Sequence, residues 1–179
     1  MTPSLRRRPL LIALAAAGTG AALPPARADE EKAPPLPAVG SRLDLAALGA
    51  FAELPLLDGG RFQAADAQGQ VLVLYWWASW CPFCAVQSPL MNQLWLAQRG
   101  RGLRFLGLAI DKKPEDASAY LAKRGYRFPS AWASPAVAKA LPKPKGLPVT
   151  LVRGRDGRLL MAEAGQLFPE DVEGIARFL

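Results

Sequence analysis

The apolar positions of this chain fall in blocks whose lengths separate strands from helices. Residues 71–77 read VLVLYWW, an unbroken apolar run of strand length, as expected of a strand buried on both faces. Residues 104–110 (RFLGLAI) predict a second buried strand. Between them, Pro82 suits the first position of a helix that ends near Arg99 and Gly100. Residues 114–124 predict another helix, with Asp111 upstream and Gly125 as its stop. Residues 134–141 predict a short helix. Residues 149–153 and 158–162 flank Gly154-Arg155-Asp156-Gly157, a hairpin signal, and residues 169–179 predict a closing helix. Near the start, residues 51–57 predict a short strand ended by an Asp58-Gly59-Gly60 turn. Strands alternating with helices, then a hairpin and a helix, predict an α/β sheet with helices on both faces.

Two N-terminal segments lie outside that pattern. Residues 1–28 read as a signal peptide: Arg6, Arg7 and Arg8 precede an apolar stretch at 10–23, and Ala26-Arg27-Ala28 predicts cleavage before Asp29. The stretch is shorter than the roughly 18–20 residues of a membrane span. An uncleaved short anchor, and with it a membrane tether, is the alternative reading of the same residues. The run from Arg7 to Leu11 also has a weak likeness to a twin-arginine export signal. No cysteine lies near the cleavage point, which excludes a lipid anchor on a new N-terminal cysteine. Residues 29–40 are charged and rich in proline (Pro34, Pro35, Pro37) and read as a linker. The domain then spans 41–179. Either reading of the leader places it outside the cytoplasm, in a bacterial periplasm.

Composition narrows the chemistry. The 179 residues are 51% hydrophobic and 21% charged, an ordinary globular balance. The net charge is +7, but Arg6, Arg7, Arg8 and Arg27 belong to the leader. The other basic residues are scattered in sequence and do not alternate with aromatics, so nucleic acid is not an expected partner. The chain has two cysteines and no histidine. No Ser-His or Cys-His nucleophile can form within one chain. Ala85 follows Cys84, so the CxxCH haem-attachment pattern is absent. A closed zinc site needs about four Cys or His ligands, and two are present. The expectation is no cofactor and no metal, with a redox-active Cys81–Cys84 disulfide as the reacting group.

Those cysteines stand in Trp80-Cys81-Pro82-Phe83-Cys84, directly after a buried strand and at the start of a helix. Free backbone N–H groups and the helix dipole stabilise negative charge at such a position. A thiolate is such a charge, and it is the nucleophile of thiol chemistry. Cys84, three residues on, lies one turn away on the same face, where it can attack a mixed disulfide at Cys81. Pro82 shapes the spacer and so the redox poise. An inert structural disulfide, or a pair of buried thiols, is the alternative.

VLVLYWWASWCPFC resembles the active-site segment of the thioredoxin superfamily, most closely the TlpA/ResA/CcmG group of exported thiol-disulfide oxidoreductases. The resemblance covers residues 38–179 and includes the turn at 58–60, Pro89, the strand and loop at 102–112, and Gly146-Leu147-Pro148-Val149-Thr150. It implies a thioredoxin-like fold: a central mixed sheet flanked by helices, with an N-terminal extension. It implies catalytic roles for Cys81 and Cys84. It implies that Pro148 is cis and faces the pair, that Leu147 pairs with an extended client segment, and that Trp80, Pro82 and Phe83 contribute to the docking surface. Two positions depart from the group. Tyr75 stands where many thioredoxins have a buried carboxylate, and Gln87 where relatives often have glutamate. The group that deprotonates Cys84 is therefore open among Tyr75, Gln87, a water and Glu53.

The resulting expectation is an exported protein thiol-disulfide oxidoreductase. It reduces or exchanges disulfides in client proteins, such as those of cytochrome c maturation, and is recharged by a membrane thiol donor. A disulfide-donating oxidase reverses the direction. A copper-binding assembly factor on the same fold is a third reading, since soft thiolates suit Cu(I).

Overall fold

The computed structural model describes residues 33–179; the predicted leader and the first residues of the predicted linker lie outside the described residues. Residues 33–38 form no helix or strand. The chain joins the domain at Gly40, whose N–H donates to the Leu159 carbonyl at 2.8 Å, and at Arg42, which bridges Arg158. After a 3₁₀ turn at Gly49–Phe51 come β1 (Leu54–Pro55) and β2 (Arg61–Phe62), an antiparallel pair around the predicted turn. Then follow β3 (Val71–Trp77), α1 (Pro82–Gln98), β4 (Leu103–Ala109), α2 (Pro114–Arg124) and β5 (Ser130–Trp132). The chain closes with α3 (Pro135–Ala140), β6 (Val149–Arg153), β7 (Leu159–Ala164), α4 (Pro169–Gly174) and a 3₁₀ turn at Ile175–Phe178.

The main sheet has the order β5-β4-β3-β6-β7. β3 runs parallel to β4 and antiparallel to β6; β4 and β5 are parallel, and β6 and β7 form the predicted hairpin. This is the expected mixed sheet flanked by helices. All seven residues of β3 are buried, which explains why its sequence shows no alternation. Its side chains still alternate between two cores. Val71, Val73, Tyr75 and Trp77 pack with Cys81, Cys84, Met91 and Phe105. Leu72, Leu74 and Trp76 pack on the opposite face with Phe51, Phe62 and Val137. Each fully buried apolar side chain contributes about 1.5–3 kcal/mol relative to exposure.

α2 ends as predicted: Gly125 takes φ 68°, a left-handed conformation that costs a Cβ-bearing residue energy. Gly107 in β4 is needed for space. A Cβ there would sit 2.2 Å from Ser130 Oγ and 3.0 Å from Trp77 Nε1. Several elements differ from the sequence expectation, among them β2 and a 3₁₀ turn at Ala64–Ala67, neither of which was expected. The strand expected at 51–57 shrinks to β1, because Phe51 is drawn into the preceding 3₁₀ turn and Pro55 lacks a ladder donor. β5 was not expected; its three residues are too few to form an apolar block. The last helix passes into a 3₁₀ turn after Gly174, a weak helix former. No helix among the described residues is long and apolar enough to cross a membrane.

Candidate active site

At the end of β3 the chain turns through Ala78, Ser79 and Trp80, and Cys81 caps α1. Cys81 has extended backbone, φ −85° and ψ 116°, and Pro82 fills the first helical position, where an N–H would find no helical partner. Cys81 Sγ accepts the Cys84 N–H at 3.2 Å, and the Cys81 carbonyl accepts the Ala85 N–H at 3.0 Å. The sulfur thus occupies the place that a Ser or Asp oxygen takes at other helix starts. The N–H donor and the positive end of the 17-residue helix both favour negative charge on it.

Cys84 lies inside the first turn. It is 1% exposed against 4% for Cys81, and both are free thiols. Burial pushes the Cys84 thiol far above the ordinary thiol range, and its hydrogen bond to Cys81 pushes it in the same direction. The two thiols are therefore inequivalent. One is held at a charge-stabilising helix end, and the other is kept neutral by a dry environment.

Several polar groups are buried around Cys84. The Tyr75 and Ser88 hydroxyls lie 3.0 Å apart, and Ser88 is one turn beyond Cys84 on α1. Burial raises the Tyr75 phenol well above its usual range, with the charge of Cys84 adding to the effect. Gln87 is 0% exposed; its Nε2 donates to Thr150 Oγ1 at 3.0 Å, and its Oε1 accepts the Leu167 N–H at 2.7 Å. One amide thus fixes α1 to β6 and to the segment before α4. Glu53, one of the groups left open by sequence, pairs with Arg61 at the surface instead.

The Leu147–Pro148 peptide bond is cis, as the resemblance implied. Thr150, two residues on, bonds to Gln87, which brings this loop beside the first turns of α1. Pro148 is buried, and its carbonyl accepts the Gly165 N–H at 2.8 Å. Leu147 packs against the core that holds both cysteines, and its N–H and carbonyl have no hydrogen-bond partner among the described residues. Lys143 Nζ donates to the carbonyls of Pro144 and Gly146 at 2.6 and 2.7 Å and so ties the loop. Burial lowers the pKa of its ammonium, while the charge of Cys84 acts in the opposite direction.

Of the expected docking residues, Trp80 and Phe83 are open to solvent, 63% and 57% exposed. Three neighbours escaped the sequence reading. Val86 is exposed one turn beyond Phe83, and Phe168 is exposed next to Leu167, which Gln87 holds. Asp111 is buried and accepts hydrogen bonds from the backbone and hydroxyl of Ser79, while its own carbonyl accepts Trp132 Nε1 at 2.8 Å. It braces the turn that carries Trp80 and Cys81. A signal was available: Asp111 follows β4, parallel to β3, and the carboxyl ends of adjacent parallel strands meet.

The profile of the AhpC/TSA family matches residues 50–157. The chain belongs to the AhpC/TSA family. It is also similar to thiol-disulfide oxidoreductase ResA of Bacillus thuringiensis (strain Al Hakam), 24% identical over 118 residues that cover 66% of this chain and 68% of that one. The soluble secreted antigen MPT53 of Mycobacterium bovis is 31% identical over 72 residues, 40% of each chain. A thiol:disulfide interchange protein of the thioredoxin family from Chlorobium tepidum TLS superposes with a TM-score of 0.65 at 23% identity, covering 82% of this chain and 97% of that one. Its fold, with the paired thiols at a helix start, makes this AhpC/TSA-family chain a thioredoxin-fold thiol-disulfide oxidoreductase.

Proposed function

We propose that Cys81 and Cys84 reduce or exchange disulfides in exported client proteins. The observation that carries this reading is the placement of Cys81 at the cap of α1, with its sulfur on the Cys84 N–H. In the cycle, the Cys81 thiolate attacks one sulfur of a client disulfide. That S–S bond breaks, the second client sulfur leaves as a thiolate, and a mixed disulfide joins client to Cys81. Cys84 then gives up its proton and attacks Cys81 Sγ, expelling the first client sulfur. The client gains two electrons, with protons from solvent, and the protein keeps the Cys81–Cys84 disulfide. A membrane thiol donor returns the two electrons. The disulfide itself is the redox group, and no further cofactor enters.

Trp80, Phe83 and the shaping residue Pro82 meet the client beside the nucleophile. The free backbone groups of Leu147, next to Pro148, suit pairing with an extended client strand. Export to the periplasm, the leader at 1–28, the linker at 29–40 and cytochrome c maturation clients belong to the same proposal. Similarity to a protein named as a secreted antigen supports the export part.

Serine at Cys84 removes the resolving thiol, so the variant is expected to accumulate mixed disulfides with clients in exporting cells. Absence of any trapped partner contradicts the cycle. The direction is read from the reduction potential. A value near or below roughly −250 mV fits a reductase, and one near roughly −120 mV assigns the oxidase direction instead.

A further inference from the structure

The end of the sheet opposite the cysteines gathers arginines that are dispersed in sequence. Leu72, near the start of β3, pairs with Arg104 on one side and Arg153 on the other. Arg153 pairs with Leu159, and Arg158 bridges Arg42. Arg155, in the β6–β7 hairpin, places Nη2 3.5 Å from where a Cβ on Gly102 would sit, so it reaches the start of β4. Arg99 and Arg101 lie between α1 and β4, at the same end. All of these except Arg153 are exposed. Asp44, Asp66 and Asp156 share the region and offset part of the charge. Every cation in this group is an arginine. The guanidinium fork matches phosphate oxygens in a way that a lysine ammonium does not.

A cleft of about 140 Å³ opens among them, lined by Arg42, Arg153, Arg155, Asp44, Asp156 and Gln68. Arg153 is 5% exposed. One of its terminal nitrogens donates to the Ala67 carbonyl, but its buried Nε–H has no partner among the described residues. An unpaired buried donor of this kind carries a desolvation cost, and Arg153 lines the cleft. Asp44 is already engaged by the N–H groups of Ala46 and Ala47, and Asp156 by that of Arg158.

We propose that this arginine end docks on an anionic membrane surface, with a lipid phosphate group entering the cleft between Arg42, Arg153 and Arg155. With residues 1–28 retained as a short anchor, the alternative reading of the leader, the course of the chain favours a membrane as the occupant. Residues 40–42 join the domain at this same end, 17 residues after the apolar stretch at 10–23. A chain of that length reaches up to about 60 Å when extended. Docked this way, α1 points its cysteine cap away from the bilayer, toward clients.

The test is flotation of the full-length protein with phosphatidylglycerol vesicles and with phosphatidylcholine vesicles. The leader is present throughout and cancels between variants. The wild type is expected to show a salt-sensitive excess on phosphatidylglycerol. Replacing Arg42, Arg101, Arg104, Arg155 and Arg158 together by Gln should lower that partitioning on the order of 3,000-fold, since each surface cation is worth about fivefold at an anionic bilayer. Replacing Lys112, Lys113, Lys123 and Lys139 by Gln should lower it far less. If the fivefold variant does not fold, the double variant Arg101→Gln/Arg155→Gln is used, with circular dichroism and Cys81 alkylation as checks. Equal binding of the wild type to the two vesicles, or an excess that the arginine variants keep, overturns the proposal. Saturable binding of inorganic phosphate without any vesicle excess also overturns it, and assigns the cleft to a free oxyanion.

Discussion

The two faces of the central sheet are built from the same strands and do different work. The face holding Leu72, Leu74, Leu106, Leu108 and Leu151 is almost wholly apolar, and its packing accounts for it. The face under α1 holds Tyr75, Trp77, Phe105 and Phe128 in a web of ring contacts, with the cysteines, Gln87 and Ser88 set among them. Two buried polar atoms there, Trp77 Nε1 and Ser130 Oγ, have no partner among the described residues. Apolar packing tolerates substitution by size, whereas a buried polar group has to find its partner. The first face therefore sets stability, and under the proposed exchange cycle the second couples stability to the redox state of Cys84.

The strongest way to separate the two is Leu74→Ala. Leu74 is 0% exposed in the apolar face, so the change should cost roughly 2–5 kcal/mol. The loss should be equal in the oxidised and reduced proteins, leaving the reduction potential unchanged. Denaturant unfolding of both redox forms measures it. A potential that moves with Leu74 would mean that the two faces are not independent.

The same contrast explains what could be read in the sequence. β3, β6 and α2 were legible to the residue because burial on both faces and the Gly125 stop leave direct marks. The cysteine turn was legible because a helix start with CxxC is a local pattern. The partners of Gln87 were not, since Thr150 and Leu167 stand 63 and 80 residues away and the contact depends on register. Asp111 read as an ordinary residue ahead of a helix because its role comes from the neighbouring strand. Val86 and Phe168 carried no periodic signal of their own, and the arginines met only after the strands were paired.

Gln87→Leu tests the coupling next. It removes both amide contacts and leaves Thr150 Oγ1 and the Leu167 N–H unpaired inside the protein. The expected cost is roughly 1–3 kcal/mol for each stranded group. Because Gln87 ties the cis-proline loop to α1, the loss should differ between redox forms and shift the potential. Equal losses in both forms would reduce Gln87 to a packing residue.

A pH series separates the faces without mutation. The Cys84 thiol is raised by burial, so the folded protein keeps a proton there that the unfolded chain loses above about pH 8.5. Stability from this group is complete below that value and falls as the pH rises further, because the folded state then binds more protons. The reduced protein should therefore lose stability between about pH 9 and 10.5 relative to its own Cys84→Ala variant. Burial raises Tyr75 with the same sign in both proteins, so that effect cancels from the difference. A flat difference between the two proteins would mean that Cys84 is not held neutral.

The smallest effect is expected at Tyr75→Phe, and it decides how Cys84 loses its proton. Removing the phenol hydroxyl leaves Ser88 without its buried partner. The Ser88 hydroxyl can turn back to the Cys84 carbonyl, four residues earlier on the helix. The cost should then be at most about 1 kcal/mol. If water or Gln87 supplies the proton path, release of client from Cys81 should slow less than about threefold. The phenol itself is a poor acceptor, because burial and the nearby cysteine charge both keep it protonated. A slowing of tenfold or more, with the pH profile of release displaced, would instead make the Tyr75–Ser88 pair the donor that stabilises the Cys84 thiolate as it forms.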